Sequence, residues 1–206
     1  MSFPDTKFSD AGAYVDAYFD QYAKAARSVE RGALGLATEI LRKAYEGGAT
    51  LFVCGNGGSA SISNHLACDH GKLLATDTDL LPRVQSLAAN VEVITAIAND
   101  ISYDEVFVHQ LKLQAGKGDV VMTVSSSGDS ENVVRAASWA RDNGLEVISL
   151  TGFEGGRTAK LASVNLHVTA DNYGIIEDVH QSLMHLMGQY LRQARMDEAL
   201  IVERKF

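Results

Sequence analysis

His65 and Asp69 stand four residues apart, and Glu177, Gln181 and His185 follow one another at the same interval. On a helix that spacing stacks side chains along one face. Imidazoles and carboxylates so arranged can take up and return a proton, the chemistry of general acid–base catalysis. Just before the first pair lies Gly55-Asn56-Gly57-Gly58-Ser59, preceded by the apolar, β-prone run Leu51–Cys54. A strand, a glycine turn and a helix start together make an anion site: bare amide N–H groups and the positive helix end face the ligand, and Ser59 adds a hydroxyl donor. His65 and Asp69 then fall about one turn beyond the phosphate.

A second anion loop is written into Ser125-Ser126-Ser127-Gly128-Asp129-Ser130. It follows Val120–Val124, a run apolar enough for a central strand covered on both faces. Taken alone, these serines read either as a helix-capping turn or as neutral donors around anionic oxygens. Paired with the turn at 55–59, they favour phosphate. Neither loop is a Walker loop or a Gly-x-Gly-x-x-Gly fingerprint, which argues against a nucleotide. His185 is flanked by Leu183, Met184, Leu186 and Met187. By itself it is either a satisfied core histidine or a working one. Asp178 and His180 form a competing polar pair on the same segment, rotated from the first set.

The elements that must position these residues alternate. Residues 11–46 carry apolar side chains at helical spacing, with a break expected at Arg31-Gly32 and a stop at Gly47-Gly48. After Leu51–Cys54 and its helix come a short strand at Val84–Ala88, a helix at Val91–Ile97 and an amphipathic helix over Tyr103–Gln114. Val120–Val124 leads to a helix ending near Asn143. Glu146–Thr151 is the next strand, followed by a short helix at Thr158–Leu161, a last strand at Val164–Val168 and a long helix from about Ile175 to Met196. Such alternation predicts an α/β fold, a three-layer αβα sandwich around a parallel sheet of about five strands, with two extra N-terminal helices and a long C-terminal helix.

Composition sets the limits. At 206 residues and 46% hydrophobic, the chain fits a single domain, 1–206, with a real core. A net charge of −8 without a basic run argues against nucleic acid. No signal peptide and no membrane-length apolar stretch are visible, and Cys54 and Cys68 lack metal-type spacing, so the expectation is a cytoplasmic protein with reduced thiols.

Together Cys54–Ser59, Ala96–Asp100, Ser125–Ser130, Leu150–Gly152 and the histidine-bearing last helix resemble the sugar isomerase (SIS) domain, a flavodoxin-like fold, and within it the phosphoheptose isomerase group. The resemblance implies aldose–ketose isomerisation of a phosphorylated sugar, sedoheptulose 7-phosphate to D-glycero-D-manno-heptose 7-phosphate, in lipopolysaccharide or capsule heptose biosynthesis. It implies a substrate site of Asn56, Gly57, Gly58, Ser59, Asp100, Ser125, Ser126, Ser127 and Ser130. It also implies one zinc per site held by His65, Asp69, Glu177 and His185, a donor set that suits zinc, with Asp69, Glu177 and His185 as the acid–base groups. A homotetramer is implied as well, with His70, Lys72 or His180 offered to a neighbour's cleft. The alternative on the same fold is a non-catalytic regulatory or scaffold tetramer that binds a sugar phosphate or a replication-initiator-type protein.

This chain departs from the family pattern at several positions. Asp69 stands where Glu is usual, Glu177 where Gln is usual, Leu73 beside Lys72 where an Arg is usual, and Gly174 where an Asp commonly precedes the last helix. These changes surround the sugar rather than its phosphate.

Overall fold

A computed structural model describes residues 3–206. Five strands, β1 (Thr50–Cys54), β2 (Arg83–Ser86), β3 (Val120–Ser125), β4 (Glu146–Thr151) and β5 (Val164–His167), form one parallel sheet in the order β2-β1-β3-β4-β5. The register pairs Leu51 with Val120 and Val120 with Glu146. Because side chains alternate along a strand, each strand feeds two cores. Leu51, Val53, Met122, Val124, Ile148 and Leu150 face one helical layer, α1 (Ala11–Ser28), α2 (Arg31–Glu46), α3 (Gly58–Leu73) and α8 (Tyr173–Arg195). Phe52, Cys54, Val121 and Val147 face the other, built mainly from α4 (Val91–Asp100), α5 (Val108–Gln114) and α6 (Glu131–Asp142), with α7 (Gly156–Leu161) at its margin. The three-layer sandwich expected from the alternation is the fold observed.

Local chemistry explains the main boundaries. Asn90 and Asn172 cap α4 and α8 by accepting the amides of Val93 and Ile175. The break in the N-terminal helices falls at Val29-Glu30, ahead of Arg31-Gly32, because the Glu30 carboxylate accepts the amides of Gly32 and Ala33 and starts α2. The segment Tyr103–Gln114 is not one helix: a 3-10 turn over Tyr103–Glu105 precedes α5. Val106, Phe107 and Val108 are all buried, which a helix with a single apolar face does not accommodate.

The C-terminal segment is docked. Buried Arg192 donates to the carbonyls of Thr76 and Lys205 and to the Asp77 carboxylate, and its guanidinium lies 4.9 Å from the Phe206 ring centre. A short helix, α9 (Glu198–Ile201), completes it. Burial pushes the Cys54 thiol up to about 12, whereas Cys68 is exposed. Among the described residues, no helix is long and apolar enough to cross a membrane.

Candidate active site

The strand order reverses between β1 and β3, so the loops leaving their carboxyl ends flank a crevice, the usual ligand position in an open α/β sheet. Both anion loops predicted from the sequence stand there. The β3 loop is tightly shaped. Gly128 has φ +62°, and a Cβ on it would lie 2.0 Å from the Gly155 carbonyl, so only glycine fits. The Ser125 hydroxyl accepts the Gly128 amide, and Ser127 accepts that of Asp129. Ser130 starts α6 without a side-chain cap bond. Ser126 is buried, and its hydroxyl has no hydrogen-bond partner among the described residues. A buried unpaired hydroxyl costs about 1–3 kcal/mol, a cost that an anionic oxygen bound in the loop would remove.

Ser59 is buried in the first turn of α3, behind Gly57 and Gly58. Asn56 is committed elsewhere. Its carboxamide exchanges two 2.9 Å hydrogen bonds with Asn132 of α6 and accepts the Tyr103 hydroxyl at 3.0 Å. It therefore braces the β1 loop against α6. Asp100 is exposed at the end of α4, where the Asn99 amide donates to it rather than any group of the serine loop.

α3 and α8 run side by side in the same direction, and their register sets the rest of the site. Glu177 lies against Gly58, so closely that a Cβ there would be 2.3 Å from its Oε2. One turn further along α8, Gln181 Nε2 lies 2.8 Å from His65 Nδ1. Another turn on, His185 Nε2 lies 3.3 Å from Asp69 Oδ2, while His65 Nε2 lies 3.4 Å from Asp69 Oδ1. The two imidazoles stand edge to face with centres 5.0 Å apart. His65, Asp69 and His185 each present a ligand atom within 4.8 Å of the others, the arrangement of a metal site. Glu177 is not in that group. Burial, and then the neighbouring Asp178, hold its carboxyl above the usual range.

His70 and His180 do not reach toward a neighbour. Both are completely buried within their own chain: Tyr45 Oη lies 2.7 Å from His70 Nδ1, and His70 Nε2 and His180 Nε2 face the carbonyls of Met184 and Thr151. Asn132, Tyr103 and Gln181 are site residues that the sequence reading did not select. Gln181 carried a signal, its place on the Glu177–His185 face; the other two carried none before the topology brought them to Asn56.

A fold of this order, with glycine- and serine-rich loops at its switch point and a polar cluster between α3 and α8, defines a class of α/β domains that take an anionic ligand at the carboxyl ends of their strands. The SIS domain family model matches residues 14–152, and the chain belongs to that family. It is 37% identical over 150 residues to a phosphoheptose isomerase of Mycobacterium tuberculosis, an alignment covering 73% of this chain and 76% of that one. It is 36% identical over 155 residues to the phosphoheptose isomerase of Aliarcobacter butzleri, covering 75% and 82%. The structure of a phosphoheptose isomerase from Neisseria gonorrhoeae superposes with a TM-score of 0.81 at 28% identity, covering 89% of this chain and all of that one.

Proposed function

We infer that this chain is an aldose–ketose isomerase of phosphorylated sugars, with sedoheptulose 7-phosphate as substrate and D-glycero-D-manno-heptose 7-phosphate as product. The observation that carries the reading is the convergence of His65, Asp69 and His185 beside a loop with an unpaired buried hydroxyl. Its substrate identity rests on the phosphoheptose isomerases that the chain is similar to across about three quarters of its length.

The geometry divides the work. Ser59, Ser125, Ser126, Ser127 and Ser130, with the amides of Gly57 and Gly58, hold the phosphate at the switch point. From Gly58 to His65 is seven residues, about 10 Å of helix, so an extended sugar places its far carbons beside the α3–α8 cluster. Isomerisation moves a proton between adjacent carbons through an ene-diol. One carboxylate takes the proton from carbon, and His185 serves the oxygen. Asp69, held between the two imidazoles, is the nearest carboxylate to His185. Glu177, with its raised pKa, is the second candidate base.

Two imidazoles and one carboxylate suit zinc, which His65, Asp69 and His185 would hold. When bound, it would polarise the substrate's carbonyl and hydroxyl oxygens. Assembly into a homotetramer belongs to the same reading. Leu186 and Tyr190 of α8 are exposed and line, with Leu34 and Gly35 of α2, a groove of about 600 Å³ between those helices. Cytoplasmic placement, in the supply of heptose for lipopolysaccharide or capsule, completes it.

The test is a coupled assay with sedoheptulose 7-phosphate on protein of measured metal content. Turnover that chelator removes and zinc restores is expected. A metal-independent protein that binds the sugar phosphate without converting it would instead be the scaffold.

A further inference from the structure

We propose that Arg157 is a positioning residue for the phosphate, acting through the serine loop and not on the ligand itself, an inference that rests on the phosphate reading of Ser125–Ser130. Arg157 stands in the first turn of α7, on the β4 side of that loop, while the crevice lies on its β1 side. Its guanidinium is committed to the loop and to the start of α6. Nε donates to Asp129 Oδ1 at 2.5 Å, Nη2 to the Asp129 carbonyl at 2.9 Å and Nη1 to Glu131 Oε2 at 2.8 Å.

The bond to the carbonyl is the informative one. An anion repels carbonyl oxygens and attracts amide hydrogens, so a loop that cradles phosphate must turn its peptides one way. The turn between β4 and α7 fixes that sense. The Gly152 amide donates to the Ser126 carbonyl and the Thr158 amide to the Gly128 carbonyl, both at 2.9 Å. Arg157 takes the carbonyl of Asp129. In a trans peptide the carbonyl and the following amide point in opposite directions. The amides of Ser127, Asp129 and Ser130 are thereby aimed away from α7, toward the crevice. Glycine makes the close apposition possible: a Cβ on Gly156 would lie 2.4 Å from the Ser127 carbonyl. Positions 126 and 128 are thus held by backbone amides, and position 129, nearest Ser130, by a side chain. Charge runs the same way. The guanidinium balances the Asp129 carboxylate, a negative group in a loop that takes an anion, and holds its carboxyl below the ordinary range.

The test uses the full-length protein and two readouts. One is the dissociation constant of inorganic phosphate, from the rise of the unfolding midpoint with phosphate concentration; the other is KM and kcat for sedoheptulose 7-phosphate. Arg157→Ala is expected to weaken phosphate by about tenfold or more, the worth of one charge-assisted hydrogen bond. KM should rise in proportion, with kcat within about threefold of the parent. Without phosphate its midpoint should stay within about 3 °C, since exposed ion pairs add little stability. Arg157→Lys, which keeps the charge and loses the planar fork, should recover only part of the affinity. Arg141→Ala removes the same charge at the far end of α6 and should leave the affinity within about twofold. Affinity in Arg157→Ala within about threefold of the parent overturns the assignment. Full affinity in Arg157→Lys does so too, because charge alone would then account for the effect, and so does a loss of kcat with KM unchanged. Should Arg157→Ala misfold, Arg157→Lys decides by the same criterion. If phosphate does not raise the parent's midpoint, the phosphate reading of the loop fails first, and the role of Arg157 fails with it.

Discussion

α3 and α8 each carry two histidines five residues apart, and on each helix one faces the site while the other is sealed in the core. Five residues turn a helix by about 500°, which leaves the second side chain about 140° away from the first. His65 and His185 consequently meet at Asp69, with side chains 47% and 37% exposed. His70 and His180 point into the layer between the helices and the sheet and are fully buried. There burial pulls both down to about 4, so each is neutral near pH 7. The same residue type thus serves as a reactive group on one face and as a neutral polar packing element on the other. The helix turn, not the residue, assigns the role.

The sharpest way to break this contrast is at the exposed pair. Asp69→Asn and His185→Ala should each lower turnover of sedoheptulose 7-phosphate by about 10²–10⁴-fold, the usual worth of a positioned acid or base. Their thermal midpoints should stay within a few degrees of the parent. Full activity in both would take the proton transfer away from this cluster.

The buried pair should behave in the opposite manner. His70 joins Tyr45 of α2 to the Met184 carbonyl of α8, and a Cβ on Gly188 would lie 3.1 Å from its ring. His70→Ala opens a cavity and strands two polar partners, so a loss of about 2–5 kcal/mol is expected in urea denaturation. A loss below about 0.5 kcal/mol would show that the Tyr45–His70–Met184 chain does not hold these helices together.

A pH series separates the pairs by sign. For His70 and His180 the folded pKa, about 4, lies below the ordinary value of 6.5. The unfolded chain therefore binds more protons between those limits. Stability is fully present above about pH 6.5 and is lost as pH falls toward 4, by up to about 1.4 kcal/mol per pH unit for each group. The raised carboxyl of Glu177 opposes this over the lower part of the window. His180→Leu should flatten the slope measured by urea denaturation from pH 6.5 to 4.5. An unchanged slope would mean that His180 is not buried neutral.

These contrasts also mark what could be read before the fold was known. β3 was legible because a strand covered on both faces is written as an apolar run, Val120–Val124, and both anion loops were legible because glycine and serine clusters stand at strand ends. Register between distant helices was not. Nothing local places Gln181 rather than Glu177 beside His65, since both obey the same spacing. The bracing of Asn56 by Asn132 and Tyr103 is not legible either, because those partners are 76 and 47 residues away in the chain. The burial of His70 and His180 depends on α2 and β4, elements that only the topology brings to them, so nothing local separates them from groups that face a neighbour.

The smallest expected effect tests the contrast from the other direction. In chelator, His65→Ala should change unfolding free energy by no more than about 0.5 kcal/mol, because a half-exposed side chain leaves neither a cavity nor a stranded buried partner. In excess zinc the result should differ. A metal that binds only the folded chain stabilises it by RT ln(1 + [L]/Kd), about 2.7 kcal/mol at a hundredfold excess over Kd, and His65→Ala should forfeit most of that gain. His70→Ala should lose stability in both conditions. If His65→Ala were as destabilised in chelator as His70→Ala, the exposed histidine would be a packing residue too, and the division of labour around the two helices would not hold.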